Sequence, residues 1–267
     1  MTEVGQGRVL IVAGSDSGGG AGIQADIKTV TALGGYAMTA ITAVTVQDTT
    51  RVHAVHAIPP EIVSRQMRVV LADIGADCIK TGMLHDETVI EAVAAVIEDG
   101  AADVPLVVDP VMVATSGDRL LREDAERALK TRLLPLATLI TPNLAEAEAL
   151  LGEPVAGRDT MTSAAARLRE LGPAAVLVTG GDGERDNIVD VLATESGVEV
   201  FASPRLDSRN THGTGCTLAS AIATGLAKGK PLHDAVQTAR AYVHEAIRTA
   251  PDLGKGHGPL HHGWVLD

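Results

Sequence analysis

The stretch RVLIVAGSDSGGGAGIQAD, Arg8–Asp26, decides how the rest of the chain is read. It opens on a near-continuous apolar run, RVLIVAG (Arg8–Gly14). A strand with one wet face would alternate; this one suits a parallel sheet covered on both faces. Three consecutive glycines and an Ala-Gly follow, which form either a flexible turn or a loop whose backbone lets a ligand come close. A helical pattern then runs over Gly22–Leu33. The loop does not keep the frame of a dinucleotide fingerprint, and no Gly-Lys-Ser/Thr makes it a P-loop.

The unit repeats outward. Ala37–Val46, Ala76–Gly82, Pro105–Pro110, Ala137–Pro142 and Ala175–Gly181 read as further buried strands. Pro60–Ile74, Glu87–Ile97, Glu123–Leu133, Asn143–Leu151 and Thr162–Leu171 read as the helices between them. Such alternation implies right-handed crossovers and a doubly wound sheet. Ile188–Thr194 and Val198–Phe201, joined through Glu195-Ser196-Gly197, predict an antiparallel hairpin at one edge. Helices over Thr214–Ala227 and Leu232–Thr249 close the chain. No linker, repeat or low-complexity stretch divides it, so one domain is expected.

Composition narrows the function. A net charge of −12 over 267 residues leaves no basic patch for nucleic acid. Only four Phe, Trp and Tyr residues are present, too few for base-stacking platforms. Cys78 and Cys216 match no zinc spacing and read as free thiols of a reduced, cytoplasmic chain. The start, MTEVGQGRV, lacks the pattern of a signal peptide, and no apolar run reaches the roughly 18 residues of a membrane span.

In a doubly wound fold ligands bind beyond the carboxyl ends of the strands, so the residues there matter most. Gln47 offers a planar carboxamide that can pair with a ring nitrogen and its neighbouring amine, or is a plain loop residue. Asp109 ends the strand in VVDPVM. Asn143 and Glu146 make an Asn-x-x-Glu capping box, which by itself accounts for both residues. Asp109 and Glu146 together also suit a hydrated Mg²⁺ holding phosphate oxygens. In HGTGCTLASA, Gly213–Cys216 stand at a helix start, where free N–H groups make an anion site. Such a site would stabilise a phosphoryl group in transfer. Cys216 at that position is expected to have a lowered pKa and to serve as a base.

The motifs AGSDSGGGAGIQAD, ITAVTVQDT, KTGML, VVDPVM, SGD, LITPNLAEAEAL, HGTGCTLASA and LGKGHGPLHH occur in one order from about Val9 to His262. In this the chain closely resembles the hydroxymethylpyrimidine/phosphomethylpyrimidine kinases of thiamine biosynthesis, within the ribokinase-like superfamily. The resemblance implies that residues 1–267 form one ribokinase-like three-layer α/β/α sandwich with a mostly parallel central sheet. It implies ATP-dependent phosphorylation of a 4-amino-5-hydroxymethyl-2-methylpyrimidine, then of its monophosphate to the pyrophosphate, with Mg²⁺. It places Gln47, Gly14, Asp26, Met83 and Val111 at the pyrimidine. Gly213, Thr214, Gly215 and Cys216 become the catalytic anion hole, with Cys216 as base. Asn143, Glu146, Thr179 and Gly181 would hold the nucleotide, and Asp109 and Glu146 the metal. A cytoplasmic homodimer is expected.

Two departures stand out. Val178-Thr179-Gly180-Gly181-Asp182 carries Thr179 where the family has a Lys expected to contact ATP phosphates. Ser17-Gly18 replaces the usual Pro-Ser or Ser-Ser. The rival readings are a pyridoxal or pyridoxine kinase, which shares the Cys motif, and a non-catalytic pyrimidine-binding protein. His212, His257, His261 and His262 have no metal spacing and receive no role.

Overall fold

The computed structural model describes residues 7–113, 117, 120–121, 125–182 and 186–266. Most of the SGD motif and the start of the expected Glu123–Leu133 helix lie outside them.

The strands are β1 Arg8–Ser15, β2 Tyr36–Gln47, β3 Val52–Ala57, β4 Cys78–Thr81, β5 Leu106–Val108, β6 Leu139–Ile140, β7 Ala175–Asp182, β8 Asn187–Thr194 and β9 Gly197–Pro204. The helices are α1 Gly22–Ala32, α2 Pro60–Asp73, α3 Glu87–Gly100, α4 Ala125–Ala128, α5 Leu144–Leu151, α6 Gly157–Arg169, α7 Thr214–Ala227 and α8 Leu232–Arg248. One sheet has the order β3-β2-β1-β4-β5-β6-β7-β8-β9. Its six central strands are parallel, with antiparallel β3 at one edge and β8–β9 at the other.

The continuous apolar run of β1 is explained by its two-sided burial. Leu10 and Val12 point into a core with α2–α6, whereas Val9, Ile11 and Ala13 enter a second core with α1, α7 and α8. Adjacent residues face opposite layers, so neither set can be polar. This is the three-layer ribokinase-like sandwich expected from the motifs.

The differences are local. β3, VHAVHA, carries little apolar signal, and most of its side chains are exposed or half-buried. Pairing with β2, Val44 opposite His56, makes it a strand. α6 starts at Gly157 rather than Thr162, because the polar first turn is held by Thr160 Oγ1, which accepts from the Ala156 amide. The segment expected as one helix to Leu133 is α-helical only to Ala128. It widens into a π turn over Leu129–Leu133 and a 3₁₀ turn over Leu134–Leu136, where Pro135 has no N–H to donate. The hairpin arms, β8 and β9, run longer than expected, to Asn187 and Pro204.

The C-terminal segment is anchored on the second core. His262 is 4 % exposed, its Nε2 lies 3.0 Å from Thr217 Oγ1, and its carbonyl accepts from the Tyr242 hydroxyl. Burial, then the charges of Lys28, His261 and His212, push the His262 imidazole down to about 4. Because the folded value lies below the ordinary 6.5, the unfolded chain takes the proton first. Stability is therefore full above pH 6.5 and is lost as pH falls from there towards 4, by about 3 kcal/mol. Urea melts at pH 7 and pH 4.5 check this: His262→Gln should lose less stability on acidification than wild type. Equal losses would remove His262 as the source.

Candidate active site

The carboxyl ends of the parallel strands open into a cavity of about 680 Å³. It is lined by Gly14, Gln47, Met83, Asp109, Val111, Asn143, Glu146, Thr179 and Gly213–Cys216. Parallel strands all deliver their last residues to one edge, which is why positions far apart in sequence meet there.

At one end, β2 presents Gln47. Its side-chain oxygen lies 3.1 Å from Thr45 Oγ1, whose hydroxyl also donates to the Ser15 carbonyl at the shorter 2.8 Å. Met83 packs against Gly14, where a Cβ would stand 2.4 Å from Met83 Cε. Val111 completes this apolar end.

α7 starts beside it. Gly213, at φ +85°, caps the helix in a left-handed conformation and comes so near the Gly20 carbonyl that a Cβ would sit 1.9 Å from that oxygen. No side chain would fit there, so the glycine is required twice over. The Thr214 N–H is spent on the Thr211 carbonyl. The Gly215 and Cys216 N–H groups have no protein partner among the described residues and make the anion-binding end of the helix.

Asp109 lies under this helix start. A Cβ on Gly215 would be 3.8 and 3.9 Å from its two oxygens. Asp109 Oδ2 is buried, accepts no hydrogen bond, and lies 3.8 Å from Lys80 Nζ. Burial pushes the Asp109 carboxyl up against the opposing pull of Lys80. Glu146 closes the capping box on Asn143, with both bonds at 3.0 Å, and also accepts from the Met112 amide. Burial, followed by the Asp109 charge, pushes Glu146 up as well. Two neighbouring buried carboxylates, with the Asp109 charge raising the proton affinity of Glu146, are also poised for a divalent cation. Their hard oxygens, one without any hydrogen bond, fit Mg²⁺ held partly through water. No group of three His, Cys, Asp or Glu side chains able to hold a metal occurs among the described residues.

Thr179 lies within β7 beside Asn143, its N–H donating to the Pro142 carbonyl at 2.9 Å. Next to it, the Gly180 N–H donates to Asp190, whose other oxygen accepts from Arg240 Nε. Asp190 and Arg240 also line the cavity and are not marked by any motif.

Two expectations need correction. Asp26 is fully buried beneath the cavity, where both its oxygens accept from Lys80 Nζ, at 2.9 and 3.1 Å, and Oδ1 also accepts from Ser220 at 2.6 Å. None of its surface is exposed to the cavity. Gly181 continues β7 opposite Val189. The Cys216 thiol is pushed up to about 12, not down, by burial and by the charges of Asp109 and Asp26, against the pull of Lys80 and the Gly22 N–H. A rise from 9.0 to about 12 amounts to roughly 4 kcal/mol against the thiolate. A helix N-terminus contributes about 0.3–2 kcal/mol the other way, so burial and like charge win.

Lys80 itself was legible only in part. A lysine inside ADCIKTG must be buried, and a buried lysine needs a carboxylate. Which carboxylate was not readable from the strand.

Known proteins match this chain over nearly its whole length. A family model described as phosphomethylpyrimidine kinase covers residues 16–261. A Streptomyces coelicolor hydroxymethylpyrimidine/phosphomethylpyrimidine kinase is 48% identical over 258 residues, which cover 97% of this chain and 95% of that protein. A thiamine biosynthesis bifunctional protein of Geobacter sulfurreducens is 50% identical over 257 residues; the match takes in 96% of this chain but spans only 52% of the relative's length. Among solved structures, an ADP complex of Bacillus subtilis pyridoxal kinase superposes with a TM-score of 0.88 at 36% identity, covering 96% of this chain and 97% of that one. No helix among the described residues is long and apolar enough to cross a membrane.

Proposed function

The chain belongs to the phosphomethylpyrimidine kinase family, and on that premise we propose that it phosphorylates 4-amino-5-hydroxymethyl-2-methylpyrimidine and then the resulting monophosphate, with ATP as donor. The observation that carries this reading is one continuous cavity. It joins a carboxamide-and-thioether end, Gln47 and Met83, to a helix N-terminus at Gly213–Cys216 and then to a polar end at Asn143 and Thr179.

In this reading Gln47 holds the aminopyrimidine edge and Met83 and Val111 cover the ring. The hydroxymethyl then points at Gly215 and Cys216, whose N–H groups stabilise the phosphoryl group in transfer. Cys216 accepts the hydroxyl proton as it passes its own thiol proton to the Asp109 carboxylate, its hydrogen-bond partner. Asp109 and Glu146 would hold Mg²⁺, which neutralises the phosphate charge. Thr179 and Asn143 donate to the nucleotide phosphates without adding charge. The working form is a cytoplasmic homodimer, which light scattering of the purified chain checks.

ADP release from Mg·ATP tests the whole, with hydroxymethylpyrimidine, its monophosphate and pyridoxal offered in parallel. Turnover of both pyrimidines, with pyridoxal slow, is the expected result. Pyridoxal turnover alone would move the assignment to a vitamin B6 kinase, and silence on all three would leave a binding protein. Gln47→Ala should raise the KM for the pyrimidine about tenfold or more, a loss of roughly 1–3 kcal/mol, and leave that for ATP nearly unchanged. Parallel rises in both would end the recognition role of Gln47.

A further inference from the structure

The glycine loop after β1 is organised around one carboxylate. Asp16 is 2 % exposed. Its Oδ1 accepts from the Gly18 amide at 2.8 Å, and its Oδ2 accepts from the Gly20 and Ala21 amides at 3.1 and 2.8 Å. The fourth donor is His212 Nε2, 2.8 Å from Oδ2. Burial alone would push the Asp16 carboxyl up, but the His212 hydrogen bond and the loop amides outweigh it and hold it below the usual carboxylate range. An ionised carboxylate can only accept, so the proton of this bond stays on His212 Nε2.

His212 is 6 % exposed and is the residue before Gly213, the cap of α7. The two loops touch with no slack. A Cβ on Gly20 would stand 2.5 Å from His212 Cδ2, and one on Gly213 would stand 1.9 Å from the Gly20 carbonyl oxygen. The other side of the glycine loop is tied to the pyrimidine end. Ser17 Oγ donates to the Gln47 carbonyl at 2.9 Å and accepts from the Gln47 amide at 2.8 Å.

We propose that Asp16 and His212 are a positioning pair that sets the separation between the pyrimidine held at Gln47 and the phosphoryl site at Gly213–Cys216. The inference rests on the kinase reading above. Both residues border the cavity, and the pair acts through the two backbones it ties together. An attacking oxygen must stand within about 3–3.5 Å of phosphorus and in line with the leaving group, so a small slip between the loops is costly. Binding of either substrate alone does not need that alignment. The signature is a loss in kcat with little change in affinity.

The variants are His212→Ala, His212→Gln and Asp16→Asn, assayed with each pyrimidine and Mg·ATP once wild-type turnover is in hand. Wild-type silence would end the kinase reading, whereas the variants bear on the pair alone. For His212→Ala we expect kcat to fall about 10²-fold, the effect of a misplacement near 1 Å, with both KM values within about threefold of wild type. His212→Gln keeps an N–H at the reach of Nε2 and should recover most of the loss. Asp16→Asn should fall with His212→Ala. A kcat for His212→Ala within about threefold of wild type would overturn the proposal, as would a Gln variant no better than Ala. If His212→Ala does not fold, the comparison of His212→Gln with Asp16→Asn decides in the same way.

Discussion

Lys80→Met is expected to abolish measurable turnover and to cost about 3–5 kcal/mol of stability, the range for breaking a buried ion pair. Lys80 is fully buried, with its ammonium on both oxygens of Asp26 and 3.8 Å from Asp109 Oδ2. Burial alone would make this lysine give up its proton. The charges of Asp26 and Asp109 and the hydrogen bond to Asp26 raise its affinity instead, and it stays an ammonium. Removing it leaves two buried carboxylates facing each other beneath the phosphoryl site. Loss of folding and loss of chemistry are separated by a second variant, Lys80→Met with Asp26→Leu. Replacing a whole buried pair by apolar residues of similar volume is often neutral for stability. The double variant should therefore melt near wild type but remain inactive, since Asp109 still lacks its cation. Recovery of near wild-type turnover in the double variant would mean that Lys80 serves only the core.

Cys216→Ser should keep the fold and both substrate affinities while lowering kcat by about 10²–10⁴-fold, the usual contribution of a positioned proton acceptor. The thiol starts protonated, raised to about 12, and must release that proton to act as a base; a serine hydroxyl releases its proton far less readily. The Gly215 and Cys216 amides that line the anion site survive the substitution, so binding should not follow turnover down. Cys216→Ala should match Cys216→Ser. A serine variant working within a few-fold of wild type would exclude Cys216 as the proton acceptor and leave the role to another group at the same helix start.

The cavity also explains why some site residues were readable and others were not. Gln47, Asp109, Asn143 and Gly213–Cys216 sit directly after apolar strands or at a helix start, and position in a parallel sheet is sufficient to send them to the ligand edge. Asp26 follows the same glycine motif but sits inside α1, five residues into the helix region counted from Gly22. Helical geometry turns it inward, onto Lys80. The motif carried its identity, and only the packing of α1 against β4 and α7 shows that it faces a lysine and Ser220 rather than a substrate. Asp16 and His212 lie 196 positions apart in the chain. No local pattern pairs them.

Periodicity and punctuation along the chain determined the alternation of buried strands and helices, the hairpin at one edge and the helix that begins at Thr214. These follow from local rules: a strand covered on both faces must be apolar throughout, and a glycine-capped apolar run starts a helix. Tertiary structure alone decided β3, which becomes a strand through β2, and the protonation of Cys216. It also decided the partners of Lys80 and Asp26. Burial and the separation of charges set those properties, and both depend on distances across the fold that a linear order does not contain.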